Sequence, residues 1–135
     1  MTGTIVLAGA TGSREDLNGY RAAGGYGALD AALRAGGSAI LAAVEESGLR
    51  GHGGAAFPVG RKWRLAAAQA AANKHVVANG GEHEPGSAKD KYLVEHHPHR
   101  VIEGMLLSGL ATGASHGWLY LIEDMAPQIE AAERA

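Results

Sequence analysis

Between residues 48 and 60 the chain carries five glycines and a proline, and no helix or strand survives that density of glycine around Pro58. Any fold for this sequence must therefore make residues 48–60 a loop and pack its regular elements around it. The chain has 135 residues, enough for one domain and too few for two of ordinary size. Its 21 glycines and 27 alanines exceed a third of the total, against 26 residues of Leu, Ile, Val and Phe together. Small side chains bury little area each, so the core is expected to be thin and to depend on close backbone approach.

Around that loop the pattern alternates. Thr4-Ile5-Val6-Leu7-Ala8 reads as a strand running into the turn Gly9-Ala10-Thr11-Gly12. Tyr26, Leu29, Ala32 and Leu33 recur at helical spacing over residues 25–35 and stop at Gly36-Gly37. Ser38 is a candidate cap for a helix over residues 40–47, with Gly48 as its stop. The alanine-rich residues 62–73 predict a helix, and His75–Asn79 a buried strand followed by a loop over residues 80–86. Pro98 suits the first position of a helix through Ala111 whose apolar face is Ile102, Met105, Leu106 and Leu110. Residues 118–122 predict another strand, and Pro127 opens a last helix. The order points to an α/β fold, a partial Rossmann-like layer of parallel strands with crossover helices, preceded by short N-terminal helices.

Charge and composition exclude several function classes. With 12 basic and 14 acidic residues the formal net charge is -2, which gives no general drive toward nucleic acid or an anionic membrane. There is no cysteine, so disulfides, thiolate nucleophiles and cysteine-ligated iron–sulfur clusters are excluded on this chain. No apolar run approaches the roughly 20 residues of a membrane span, and no basic segment followed by an apolar one marks a secretory signal. A cytoplasmic location without direct membrane insertion is the expectation.

Four segments carry candidate chemistry. The turn at residues 9–12 lacks the third glycine of a dinucleotide loop and precedes Glu15-Asp16, so a plain turn is the better reading. The segment Arg50-Gly51-His52-Gly53-Gly54-Ala55-Ala56-Phe57-Pro58-Val59-Gly60-Arg61-Lys62-Trp63 has glycines that let backbone N–H groups converge on an anion. A helix start and Lys62 there add positive charge, and Phe57, the single Phe, is placed for stacking rather than for a core; the alternative is an ordinary surface loop. The third segment, Asn79-Gly80-Gly81-Glu82-His83-Glu84-Pro85-Gly86, leaves the carboxyl end of a strand, where open α/β sheets bind ligands. Asn79 can pair with a heterocycle edge, while Glu82 and Glu84 around one histidine allow an acid–base pair, a metal site or a solvated turn. Last, His96-His97-Pro98-His99 could bind a metal, but Pro98 breaks the spacing, and histidines at the solvated entry of a helix are the favoured reading.

The second and third segments together resemble a known family: the flavoprotein, NADH-oxidising subunit of respiratory complex I and the diaphorase subunits of NAD-linked hydrogenases and formate dehydrogenases. Its pattern G-L-R-G-R-G-G-A-G-F-P-x-G-x-K-W is similar to residues 48–63, N-A-D-E-x-E-P-G-x-x-K-D to residues 79–90, and P-H-x-x-I-E-G-M to residues 98–105. Upstream, residues 20–33 look like the family's G-G-Y-x-A-L segment. The resemblance implies an FMN-binding domain of the complex I flavoprotein type, of which residues 1–135 would be the N-terminal half. It implies that Arg50, Gly51, Gly53, Gly54, Lys62, Asn79 and Glu82 line the flavin, with Phe57 and Glu84 on the NAD side. The implied cofactors are FMN and NAD, with iron–sulfur clusters only on partner chains of a multi-subunit redox complex.

The sequence departs from that pattern at His52, Ala56 and Gly81, where the family has arginine, glycine and aspartate, and Leu65 stands where an aromatic is usual. Two functions follow as expectations. In the first, the chain contacts FMN and passes electrons from NADH to a partner redox chain, its site completed by another polypeptide. In the second, it is a non-catalytic interaction or assembly module that keeps the fold and has lost the flavin. A third reading makes it a metal binder through its seven histidines.

Overall fold

The computed structural model of the chain describes residues 14–52 and 55–135. The expected strand over residues 4–8, the turn over residues 9–12, Gly53 and Gly54 lie outside the described residues. Seven helices and two strands follow in order among the described residues: α1 Leu17–Ala22, α2 Gly27–Ala35, α3 Gly37–Glu46, α4 Val59–Ala67, β1 His75–Asn79, α5 Lys89–His96, α6 Pro98–Thr112, β2 His116–Tyr120 and α7 Ala126–Arg134. β1 and β2 pair in parallel with His75 opposite His116 and Asn79 opposite Tyr120, joined through α5 and α6. This is the helical crossover that the alternation of elements predicts.

Glycine sets the helix boundaries. Gly36 ends α2 at φ 84° and is also the residue before α3, so the chain reverses without a side-chain cap; Ser38 lies inside α3 and is not its cap. Gly113 closes α6 in the left-handed conformation, its N–H bonded to the Gly109 carbonyl at 2.8 Å. The core is thin, as the composition predicts: Ala32, Ile40, Leu41 and Ala111, flanked by Val44, Trp63, Ala67 and Leu107. Backbone approaches replace bulk. A β-carbon on Gly37 would overlap the Leu110 carbonyl of α6, and one on Gly60 would overlap Glu45 of α3. At these two crossings only glycine fits.

Four expectations are corrected. The alanine-rich helix begins three residues early, at Val59, and ends at Ala67 rather than Asn73. The reason is Lys74, whose ammonium donates to the Ala67 carbonyl at 2.8 Å and the Thr112 carbonyl at 3.1 Å, closing the ends of α4 and α6 together. β1 is half exposed rather than buried, because one face of the two-stranded sheet is open: Val77 is 61% and Trp118 57% exposed. β2 begins two residues before the expected strand. In α6 the buried residues are Pro98, His99, Glu103, Ser108 and Ala111, while Leu106 and Leu110 remain exposed. The expected apolar stripe instead walls a groove of about 670 Å³ between α6, α7 and β2, lined by Ile102, Met105, Leu106, Leu110, Leu119 and Ile129.

The polar side of α6 is buried because it holds the N-terminal helices. The Glu103 carboxylate accepts from the Tyr20 hydroxyl and from the N–H groups of Tyr26 and Leu29, both at 3.1 Å, capping α2 from another helix. The Tyr26 hydroxyl lies 3.0 Å from Nδ1 of His99, whose ring stacks on Tyr20. Burial, then the Glu103 carboxylate, pushes the Tyr20 phenol well above its ordinary range. His97 and His99 are each only 2% exposed, so the reading of a solvated histidine cluster is wrong. His97 faces Glu15 at 3.6 Å across the α5–α6 junction. No single described helix is long and apolar enough to cross a membrane.

Candidate functional site

One glycine-rich segment leads into α4 and the other leaves β1. The C-terminal ends of α4 and α6 meet at Lys74, which directly precedes β1, and the two helices pack together. The loop after β1 lies on the carboxyl side of the strands, the side on which such sheets place ligands.

The loop before α4 is a tight, internally bonded turn rather than a free one. Arg50 and Pro58 form an isolated antiparallel bridge; Gly51 N–H donates to the Phe57 carbonyl and Val59 N–H to the Leu49 carbonyl, each at 2.9 Å. The Arg50 guanidinium donates to the Ala56 carbonyl at 3.2 Å. Phe57 is held outward, 41% exposed, with the Arg61 guanidinium 5.7 Å above its ring centroid. Lys62 is exposed on the first turns of α4. Ala56 sits at φ 43°, a conformation suited to glycine. Ala56→Gly is expected to stabilise the chain by roughly 0.5 kcal/mol or more. Relief of a left-handed penalty of about 1–2 kcal/mol exceeds the unfolded-state freedom that glycine adds, about 0.4–1 kcal/mol. A higher midpoint in thermal unfolding, with an unchanged circular dichroism spectrum, is the result to look for.

After β1, the Asn79 side-chain oxygen accepts from Gly81 N–H at 3.1 Å, and Gly80 N–H donates to the Tyr120 carbonyl at 2.8 Å. Gly81 lies against the Tyr120 ring, where a β-carbon would stand 2.5 Å from Cε1. The family's aspartate has no room there while the ring stays. Glu82 is buried; its carboxylate accepts from the Ser87 hydroxyl and from the N–H groups of Asp90 and Lys91 at 3.1 Å, with the Lys89 ammonium 3.5 Å away. Burial works to raise its pKa, but the hydrogen bonds from Ser87, Lys91, Asp90 and Lys89 prevail and lower it to about 2. Glu82 therefore caps α5 from eight residues upstream of Asp90. Glu84 is exposed, with no hydrogen bond or ion pair from its side chain among the described residues. No group of three or more potential metal ligands is placed to hold a metal among the described residues.

Sequence reasoning missed Tyr120, Arg61 and the junction of Tyr20, Tyr26, His99 and Glu103. The P-H-x-x-I-E-G-M segment was the available signal for the junction, since His99 and Glu103 fall one helical turn apart on α6. The large groove contains none of the residues expected to line a flavin.

Two parallel strands joined by a helical crossover and packed with helices define an α/β layer. The family model of the Nuo51 FMN-binding domain matches residues 44–135, and the chain belongs to that family. It is 41% identical over 102 residues to an NADH-quinone oxidoreductase subunit of Aquifex aeolicus (strain VF5), covering 76% of this chain and 24% of that protein. Against an NADH-quinone oxidoreductase subunit of Rhizobium meliloti (strain 1021), identity is 40% over 120 residues, covering 88% and 28%. A chain in the crystal structure of an NAD+-reducing NiFe hydrogenase in the H2-reduced state superposes with a TM-score of 0.64 at 41% identity, over 73% of this chain and 18% of that one. The chain thus spans about a quarter of the length of these curated relatives.

Proposed function

We propose that this chain is the FMN-contacting part of an NADH-oxidising flavoprotein that passes electrons from NADH through FMN to a partner redox chain. The observation that carries this reading is the match of residues 44–135 to an FMN-binding family, supported by the two glycine-rich turns, one leading into α4 and one leaving the carboxyl end of β1. The donor set fits the group. The amino end of α4, Arg50 and Lys62 supply positive potential for a phosphate. Gly51, Gly53 and Gly54 allow close backbone approach, and Asn79 can donate to a ring edge. Glu82, its carboxylate already committed to α5, would act by fixing the turn on which Asn79 stands. Phe57 and Glu84 are exposed and would meet the nicotinamide dinucleotide. The chemistry that FMN would supply there is hydride acceptance and single-electron release, to which the chain would contribute orientation and charge.

The relatives named above are subunits of larger assemblies; we infer that this chain likewise works with partner subunits, and we propose an iron–sulfur protein among them and a cytoplasmic location. The test is FMN titration of the chain alone and co-expressed with its genomic neighbours, read at the flavin absorbance bands. FMN retained in the co-expressed complex and bleached by NADH is the expected result. No flavin in either preparation would overturn the proposal and favour the second reading, a non-catalytic assembly module. That reading draws on the open groove beside β2 and the exposed Val77 and Trp118.

A further inference from the structure

We propose that the apolar groove between α6, α7 and β2 is the seat of the chain's own N-terminal segment, Thr4-Ile5-Val6-Leu7-Ala8, laid along β2 with Ile5 and Leu7 turned inward. The groove contains none of the residues expected to line a flavin, so this inference goes beyond the function proposed above and does not depend on it.

The groove measures about 670 Å³, and its walls include Leu106 and Leu110, which are 45% and 38% exposed. Val76, Gly117 and Leu119 present one face of the sheet to it. Among the described residues β2 pairs only with β1, so no strand lies beside its other edge. An extended apolar segment suits such a place: the strand edge bonds its backbone while the groove takes alternate side chains. Residues 2–13 carry no charged side chain, and Ile5 and Leu7 fall on one side of an extended Thr4–Ala8 segment.

The described chain starts beside this groove. The Arg14 guanidinium donates to the Glu95 carboxylate of α5 at 2.5 Å, and Glu95 also accepts from Gln128 of α7 at 2.7 Å. Arg14 lines a small cleft with Ala131, Arg134 and Ala135, at the C-terminal end of α7. Ile129, Ala132 and Glu133, on the other face of that helix, line the groove. Only the width of one helix, about 10–12 Å, therefore separates Arg14 from the groove. Residues 9–13 span about 16 Å at roughly 3.3 Å each, enough to carry the segment before them past α7. A groove closed from within leaves Val77 and Trp118, which alternate with the groove-lining residues, as the apolar face open to a partner.

The chain has no cysteine, so Gly3→Cys gives the full-length protein a single attachment point for a nitroxide spin label. Loss of the Leu106, Leu110, Leu119 and Ile129 methyl signals by paramagnetic broadening is expected, with little change at Leu33 and Leu65. Ile5→Asp together with Leu7→Asp should restore those signals, because carboxylates do not enter an apolar groove. The pattern in the parent chain decides by itself where that variant fails to fold. Broadening that is absent, uniform over the protein or undiminished in the folded aspartate variant would overturn the proposal. So would broadening that appears only when spin-labelled chain is mixed with isotope-labelled chain, which assigns the groove to a second copy. No flavin enters this experiment, so its failure is distinct from a failure to retain FMN.

Discussion

Replacing Glu103 by leucine is expected to cost roughly 3 kcal/mol or more of stability, a large share of the 5–15 kcal/mol that holds a typical domain. The carboxylate accepts three hydrogen bonds, from the Tyr20 hydroxyl and from the N–H groups of Tyr26 and Leu29. Leucine is close in volume, so the loss comes from polar groups left unpaired, each costing about 1–3 kcal/mol when buried. The Glu103→Gln variant keeps an acceptor oxygen and should lose roughly 1 kcal/mol. Urea unfolding of the three proteins measures the order directly. A leucine variant within about 1 kcal/mol of the parent would show that water replaces the cap and that α1 and α2 are held by other contacts.

Glu82 contributes to the acid limit. Its folded pKa lies at about 2 against an ordinary 4.5, so it stays ionised in the folded chain where the unfolded chain takes up a proton. The stabilisation is complete above pH 4.5 and falls away as pH drops toward about 2. Glu82→Gln should be less stable than the parent at neutral pH, and the difference should vanish near pH 2. The variant should also lose protection of the Asp90 and Lys91 amides in hydrogen exchange, because those N–H groups lose their charged acceptor. Parallel stability curves for parent and variant from about pH 7 to pH 2 would refute this assignment.

Much of the layer was legible because its signals are local. The helix over Gly27–Ala35, the strand His75–Asn79 and the proline-led starts of α6 and α7 follow from spacing and from residues with fixed backbone preferences. α5 escapes such reasoning because its cap does not sit beside it: Ala88 precedes the helix and Glu82 reaches back from the loop. The end of α4 is missed for a related reason. Alanine propensity favours continuation through Asn73, but Lys74 closes the helix at Ala67 to start β1. The buried face of α6 is not legible either, because periodicity marks apolar residues without saying which side meets the core.

Sequence alone determined the family, the two glycine-rich turns, the outward Phe57 and the need for close backbone packing, since each rests on residue types whose conformational or chemical limits act within a few positions. Tertiary structure decided which acids are free to act and which are committed. Glu82 and Glu103 look alike in sequence to the exposed Glu84, yet each caps a helix supplied from elsewhere in the chain. A carboxylate's role depends on which backbone N–H groups the fold aims at it, and that is set by contacts between segments up to 77 residues apart.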